Sequence, residues 1–126
     1  IRSGLFRYVC HPDLYLRSRP GFYSKACERA ADLIAQAALE AKLPLEYNLL
    51  GRHNQQMGSG CGYPSLDFWE RISDWGNETI LGVDAHQPEL LYDRKLWEQG
   101  ASLLAGLGLK RLEGLPGFGA NRNGCS

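Results

Sequence analysis

The sequence lacks an excess of charge of either sign, and it lacks a long apolar run. Its 126 residues contain 14 Lys and Arg and 14 Asp and Glu, so the formal net charge is zero. Without a basic field, a chain has little attraction for nucleic acid or for an anionic membrane surface. No apolar stretch approaches the roughly 20 residues that span a bilayer. We therefore expect a single-domain cytoplasmic protein whose partners include neither nucleic acid nor a membrane.

Closely spaced cysteine pairs are also absent. The four cysteines are Cys10, Cys27, Cys61 and Cys125, and none of them forms a C-x-x-C motif. Spacings this wide differ from those of zinc knuckles and of small secreted disulfide scaffolds. The pattern favours reduced thiols, although a disulfide that involves Cys61 stays open.

Strand-like and helix-like segments alternate along the chain. β-branched, aromatic and aliphatic residues predict strands over 4–10, 43–50 and 79–83, with a short fourth over 109–112. Apolar residues at spacings of three and four predict helices over 24–41, 64–75 and 89–106. The glycine-rich segment 51–63 reads as a long loop. We expect one domain over residues 1–114 and a flexible tail over 115–126.

This alternation predicts an α/β fold. Strands separated by helices of this length form a parallel sheet of right-handed βαβ units. Three to four strands are too few to close a barrel of seven or eight. The fold class is therefore half of an α/β barrel or a small open α/β sheet.

Polar residues follow two of the predicted strands. Asp84 and His86 are two positions apart after the strand 79–83, where an extended backbone would point them the same way. His11 follows the strand 4–10, and Pro12 stops its ladder. The carboxyl ends of parallel strands meet at one edge, so His11, Asp84 and His86 are candidate ligands for Zn, Fe or Mn. Alternatively, Asp84 or His86 bonds the start of the next helix, and His11 is structural.

Basic residues near these strand ends could bind an anion. Arg52 follows Gly51 and Arg17 follows His11 closely, so either could hold a phosphate bidentately. A solvated arginine is the alternative for each. His53 is a further possible ligand that is expected to face solvent.

Two other residues stay outside the predicted site. Glu46 lies inside a strand, where a buried acid needs a partner, and its orientation is not predicted. Cys10 precedes His11, but adjacent side chains on a strand point apart. Nucleophilic cysteine catalysis is therefore not predicted.

Four segments together resemble the later motifs of the PHP superfamily of phosphoesterases, most closely the histidinol-phosphatase group. They are His11-Pro12-Asp13-Leu14, the segment from Glu46 to Arg52, Tyr63-Pro64, and Gly82-Val83-Asp84-Ala85-His86-Gln87-Pro88. The usual family forms are His-Pro-Asp, Glu-Val/Ile-Asn followed by Gly-Leu-Arg, Tyr-Pro, and Ser-Asp-Ala-His-x-Pro. The order is the same, and the resemblance covers roughly residues 5 to 110.

The resemblance implies a distorted (β/α)7 barrel with two or three divalent metals, commonly Zn, Fe or Mn. His11, Asp84 and His86 match the family's ligand positions, while Arg52 and Arg17 match positions that hold the substrate phosphate. The implied reaction is hydrolysis of a small phosphomonoester, such as histidinol phosphate of histidine biosynthesis, by a metal-bound hydroxide.

The family's opening motifs are missing from the sequence. There is no His-x-His, and the Glu and His ligands of the family's middle strands would precede Ile1. The resemblance thus implies a C-terminal barrel half with an incomplete metal set. We expect little activity from the chain alone, and pairing with a missing N-terminal half or with a second copy. The alternatives are a non-catalytic α/β domain that binds a phosphorylated ligand or a protein partner, and a metal-storage or regulatory domain.

Overall fold

The computed structural model of the protein describes residues 1–115. Its three strands form one parallel sheet and follow one another across it in chain order: β1 (Leu45–Asn48), β2 (Glu78–Gly82) and β3 (Lys110–Arg111). In the register of β1 and β2, Leu45 lies opposite Thr79 and Asn48 opposite Gly82. The predicted α/β class with a parallel sheet is confirmed. The completion of this sheet to a seven-stranded barrel stays a prediction.

Four α-helices connect and flank these strands: α1 (Lys25–Ala41), α2 (Leu49–Gln56), α3 (Leu66–Trp75) and α4 (Arg94–Gly106). Helix α1 begins where expected, because the Ser24 hydroxyl accepts a hydrogen bond from the Cys27 amide. Helix α3 begins slightly later than expected and ends at Gly76, whose φ of 72° is left-handed. These helices confirm the apolar periodicity of the sequence.

The strand predicted over residues 4–10 is wrong. Only Val9 pairs with the sheet, through a single parallel bridge to Leu45. Its amide donates to the Pro44 carbonyl and its carbonyl accepts from the Glu46 amide. Upstream, Leu5 is 84% exposed. β propensity reflects packing against neighbours, and the side chains before Val9 have too few of them.

The loop predicted over 51–63 is also wrong in its first half, because α2 follows β1 without a break. The Asn48 side-chain oxygen accepts a 2.7 Å hydrogen bond from the Gly51 amide and caps the helix. The predicted strand 43–50 therefore ends at Asn48. Gly51 is also needed for packing, since a Cβ there would lie 2.8 Å from the Tyr63 carbonyl oxygen.

The helix predicted over 89–106 is divided in two. Pro88–Tyr92 forms a 3-10 turn, and α4 starts only after Asp93. The Asp93 carboxylate accepts from the Leu96 amide at 3.0 Å, which gives the second piece its own N-cap.

The core lies between the sheet and helices α1, α3 and α4. Its buried side chains include Ala31, Ala35, Ala38, Leu45, Leu49, Phe68, Trp69, Ile72, Leu96 and Leu104. Among residues 1–115, no helix is long and apolar enough to cross a membrane. Cys10, Cys27 and Cys61 are free thiols. Most of the predicted tail, with Cys125, lies outside the described residues.

Candidate functional site

A cavity of about 770 Å³ opens at the carboxyl edge of the sheet. It lies where the Val9 segment, β1 and β2 end. Five residues singled out from the sequence line it: His11, Arg17, His53, Asp84 and His86. The fold therefore brings together residues that are up to 75 positions apart in the chain (86 − 11). Parallel strands produce this convergence, because their carboxyl ends share one edge.

The His11 imidazole lies between two carboxylates. Its Nδ1 is 2.9 Å from Glu46 Oε2, and its Nε2 is 3.5 Å from Asp84 Oδ2. Glu46 is buried on β1, and the same Oε2 accepts the His11 amide at 3.1 Å. Glu46 thus holds both the backbone and the ring of His11, and the other ring nitrogen faces the more exposed Asp84.

The Nδ1 atom of His11 has two possible hydrogen-bond partners, an acceptor on Glu46 and a donor on Asn48. The Asn48 side-chain nitrogen also lies 2.9 Å from Nδ1. A protonated Nδ1 donates to Glu46, whereas an unprotonated Nδ1 accepts from Asn48. Burial raises the pKa of Glu46 and the charge of Asp84 adds to the rise, while His11 opposes it. The tautomer of His11 therefore depends on the proton balance with Glu46.

Left-handed backbone places the two facing groups. His11 has a φ of 44° and Asp84 a φ of 43°, a conformation that costs non-glycine residues on the order of 1 kcal/mol or more. The extended backbone expected at Asp84 is wrong, because β2 ends at Gly82 and Asp84 is left-handed, although Asp84 and His86 both line the cavity. Instead, His86 Nδ1 lies 2.8 Å from the Asp84 main-chain carbonyl oxygen. Donation from Nδ1 leaves the Nε2 lone pair of His86 available for a ligand.

Cys10 joins this site unexpectedly. One ligand atom each from Cys10, His11 and Glu46 lies within 4.8 Å of the other two. The expectation that Cys10 and His11 point apart is wrong, because strand alternation requires extended backbone and His11 is left-handed. The sequence offered one indication of this cluster, because Glu46 is an acid inside a predicted strand and a buried acid needs a partner.

Gly82 makes room for Glu46. A Cβ on Gly82 would lie 1.8 Å from Glu46 Oε1, so the carboxylate crosses the strand where no side chain stands. A glycine within a strand often marks such a close approach. Gly82 is therefore a supporting residue that spacing arguments did not identify.

The two predicted phosphate-binding arginines differ in position. Arg17 lines the cavity, whereas Arg52 does not. Arg52 lies in the first turn of α2, and its Nε is buried without a hydrogen-bond partner among the described residues. Burial raises the pKa of Tyr47, and the nearby Arg52 charge opposes the rise. The structure thus brings Arg17, but not Arg52, to the cavity.

Asp13 anchors the turn that carries His11. It is fully buried, and its Oδ2 accepts from the Ser65 amide at 2.8 Å and from Trp69 Nε1 at 3.2 Å. Burial raises the pKa of Asp13 to about 6. The Tyr63 ring lies 6.2 Å from the His11 ring. The turn is therefore fixed against the start of α3, a role that spacing in the sequence did not reveal.

The donor set is compatible with a divalent metal. Ligands bound tetrahedrally at about 2.0–2.1 Å lie about 3.3 Å apart, close to the 3.5 Å between His11 Nε2 and Asp84 Oδ2. A carboxylate on the remaining ring nitrogen is the usual second partner of a metal-bound histidine. In residues 1–115, the triplet within 4.8 Å is the one with Cys10 and Glu46, and not the predicted His11, Asp84 and His86.

Comparisons with protein-family models, with curated proteins and with solved structures found no match for this chain. The resemblance to PHP phosphoesterases therefore remains a prediction that depends on the quoted motifs.

Proposed function

We propose that this chain is part of a metal-dependent phosphatase that acts on a small phosphomonoester. One observation carries the proposal. The His11 imidazole is held by buried Glu46 on one side and faces the Asp84 carboxylate at 3.5 Å on the other. An oriented histidine beside a carboxylate at the mouth of a cavity is what a catalytic divalent metal requires.

His11, Asp84 and His86 would hold Zn, Fe or Mn. When bound, such a cation supplies a hydroxide near neutral pH and neutralises charge on phosphoryl oxygens. In the tautomer in which Nδ1 of His11 donates to Glu46, the Nε2 lone pair faces Asp84 and is available to the metal. Asp84 contributes the negative charge that a divalent cation needs.

Arg17 is the best candidate to bind the phosphate group. It lines the same cavity as His11 and Asp84, and a guanidinium can bind two phosphate oxygens at once. We assign Arg52 a weaker part, because it does not line the cavity. A volume of about 770 Å³ suits a small phosphoester, such as histidinol phosphate, better than a polymer.

The metal set of this chain is incomplete under this proposal. The predicted ligands supply two imidazoles and one carboxylate, fewer than two or three metals need. The remaining ligands would come from an N-terminal half of the barrel or from a second copy of the chain. The chain alone would then bind metal weakly and turn over little substrate.

A phosphate-release assay tests the proposal. Histidinol phosphate is incubated with the full-length protein and Mn²⁺ or Zn²⁺, and Asp84→Ala is compared with Asp74→Ala. Asp74 is an exposed acid on α3 that does not line the cavity, and it serves as the matched control. We expect Asp84→Ala to lower turnover by about 100-fold or more and Asp74→Ala to leave it unchanged. Equal turnover in the two variants would contradict the ligand assignment.

A second candidate function is a non-catalytic domain that binds a phosphorylated ligand. Among residues 1–115, the ligand atoms of His11, Asp84 and His86 do not form a triplet within 4.8 Å, and this favours the alternative. The two functions differ in one readout. A binding domain retains phosphate affinity that depends on Arg17 but releases no inorganic phosphate with any of the three metals.

A further inference from the structure

Cys10, His11 and Glu46 form a second donor set, which shares His11 and Glu46 with the proposed phosphatase site and adds the Cys10 thiol. Their ligand atoms lie within 4.8 Å of one another, and His11 Nδ1 is already 2.9 Å from Glu46 Oε2. We propose that these three side chains bind a thiophilic divalent cation, of which Zn²⁺ and Cd²⁺ are the representatives. This site is assembled on Nδ1, where the cation replaces the proton that Nδ1 donates to Glu46 in the proposed phosphatase, whose metal uses Nε2.

The backbone explains how adjacent residues can serve one ion. In an extended strand, Cys10 and His11 would project to opposite faces. The left-handed φ of 44° at His11 turns the chain immediately after the Val9 bridge. Sulfur and imidazole consequently approach the same carboxylate, and the third ligand comes from a different strand.

The chemistry of the three groups selects the class of ion. A thiolate prefers zinc, cadmium and other soft or borderline cations, and it discriminates against Mg²⁺ and Mn²⁺. Tetrahedral zinc sites with three protein ligands leave the fourth position to water. Cys10 is exposed, which leaves its side chain free to close onto the ion.

Burial of the carboxylate adds to the selectivity. Glu46 is 4% exposed, and its negative charge has lost most of its hydration. A cation at this position neutralises that charge, and the Cys10 thiol gives up its proton to solvent on binding. The site therefore combines a soft thiolate ligand from Cys10 with a buried carboxylate ligand from Glu46. A surface thiol alone does not provide this combination.

Co²⁺ is a suitable probe, because a cobalt–thiolate bond gives a charge-transfer band in the near ultraviolet. The full-length protein is titrated with Co²⁺ under reducing conditions, alongside Cys10→Ser and the matched thiol controls Cys27→Ser and Cys61→Ser. We expect the band in the wild type and in both controls, and its loss in Cys10→Ser. The proposal is overturned if the wild type shows no band or if Cys10→Ser keeps it.

Glu46→Gln separates a three-ligand site from a lone thiol. We expect this variant to bind Co²⁺ at least about tenfold more weakly at the charge-transfer band, because a neutral amide replaces an anionic ligand. Unchanged affinity would overturn the three-ligand assignment. Circular dichroism confirms that each variant is folded before its spectrum is compared.

Asp84→Ala distinguishes this site from the proposed phosphatase. The thiolate band does not require Asp84, so we expect the variant to keep the band whether or not it retains turnover. A protein that gives the band but never releases phosphate supports the thiophilic site and contradicts the phosphatase. A protein that releases phosphate without the band does the reverse.

Discussion

Two carboxylates lie in contrasting electrostatic surroundings. Asp32 lies on the helical side, which α1 and α3 form, and Glu46 lies at the sheet edge, where β1 ends beside His11. Asp32, on α1, accepts from Arg71 at 2.6 and 3.0 Å and from Trp75 Nε1 at 2.7 Å. The Arg71 hydrogen bonds lower the pKa of Asp32. Glu46, at the sheet edge, has its pKa raised by burial. The helical side therefore pairs Asp32 with an arginine near water, while the sheet edge buries Glu46 against a histidine. Acids with raised pKa values at a cleft are typical of functional sites.

Asp13, which anchors the His11 turn at the sheet edge, should give the largest effect, a pH dependence of the unfolding free energy opposite in sign to that of Asp32 on the helical side. Its pKa is about 6 in the folded protein against 3.8 ordinarily, so the folded state holds a proton over a range where the unfolded state has lost it. Stability therefore falls as pH rises from about 4 to about 6, by up to about 3 kcal/mol. Asp13→Asn should make this slope clearly shallower and leave the part that comes from the raised pKa of Glu46, as measured by urea unfolding at pH 4, 5, 6 and 7. A slope in Asp13→Asn as steep as in the wild type would contradict the assignment.

Gly82→Ala should weaken metal binding without unfolding the protein. The new methyl group would displace the Glu46 carboxylate, since a Cβ there lies 1.8 Å from Oε1. Loss of a carboxylate behind a ligating histidine costs about 10- to 100-fold in affinity. Gly106→Ala is the control, because a Cβ at Gly106 meets nothing within 4 Å. Zn²⁺ affinities that are equal in the two variants, measured by calorimetry, would show that Glu46 does not orient His11.

Ile72→Val tests the helical side alone. Ile72 is fully buried on α3, and removing one methylene from such a site costs about 0.5–1.5 kcal/mol of unfolding free energy. Because Ile72 does not line the cavity, we expect unchanged metal affinity. Denaturant unfolding and calorimetry check the two parts separately. A change in affinity would mean that the two sides are coupled.

Asp32→Asn should have the smallest effect. The Asp32–Arg71 ion pair is half-buried near the surface, and ion pairs near the surface contribute little to stability and are screened by salt. A lowered pKa means that this contribution is present above the unfolded value and disappears as pH falls through the folded one. We expect a small loss of thermal stability at low salt and neutral pH that vanishes at high salt. A loss independent of salt would instead point to the Trp75 hydrogen bond.

The helical side could be predicted from the sequence, because its rules are local. Helix α1 was expected over 24–41 and extends from Lys25 to Ala41, since alanine spacing and a serine cap both act within one segment. The division at Asp93 was missed, although aspartate is a good N-cap. The apolar residues before and after Asp93 keep the helical spacing, so periodicity alone predicts one continuous helix.

The sheet edge could be predicted only in outline. Ordered motifs led to His11, Arg17, Asp84 and His86, which do line one cavity. Their contacts could not be derived, because the left-handed turns at His11 and Asp84 interrupt the strand periodicity. Tertiary contacts between distant residues also decide which group orients which, as the Glu46 bond to His11 shows.

Asn48 limits the substitutions that the chain can accept. Its oxygen caps α2 and its nitrogen approaches the His11 ring, so one amide ends a strand, starts a helix and faces the imidazole. Aspartate would preserve the cap but place a second anion beside the His11 ring. Serine would preserve the cap but is too short to reach the His11 ring. Of these side chains only asparagine offers both atoms. Position 48 is therefore expected to accept asparagine alone, partly because the helix needs its cap and partly because the His11 ring needs its neighbour.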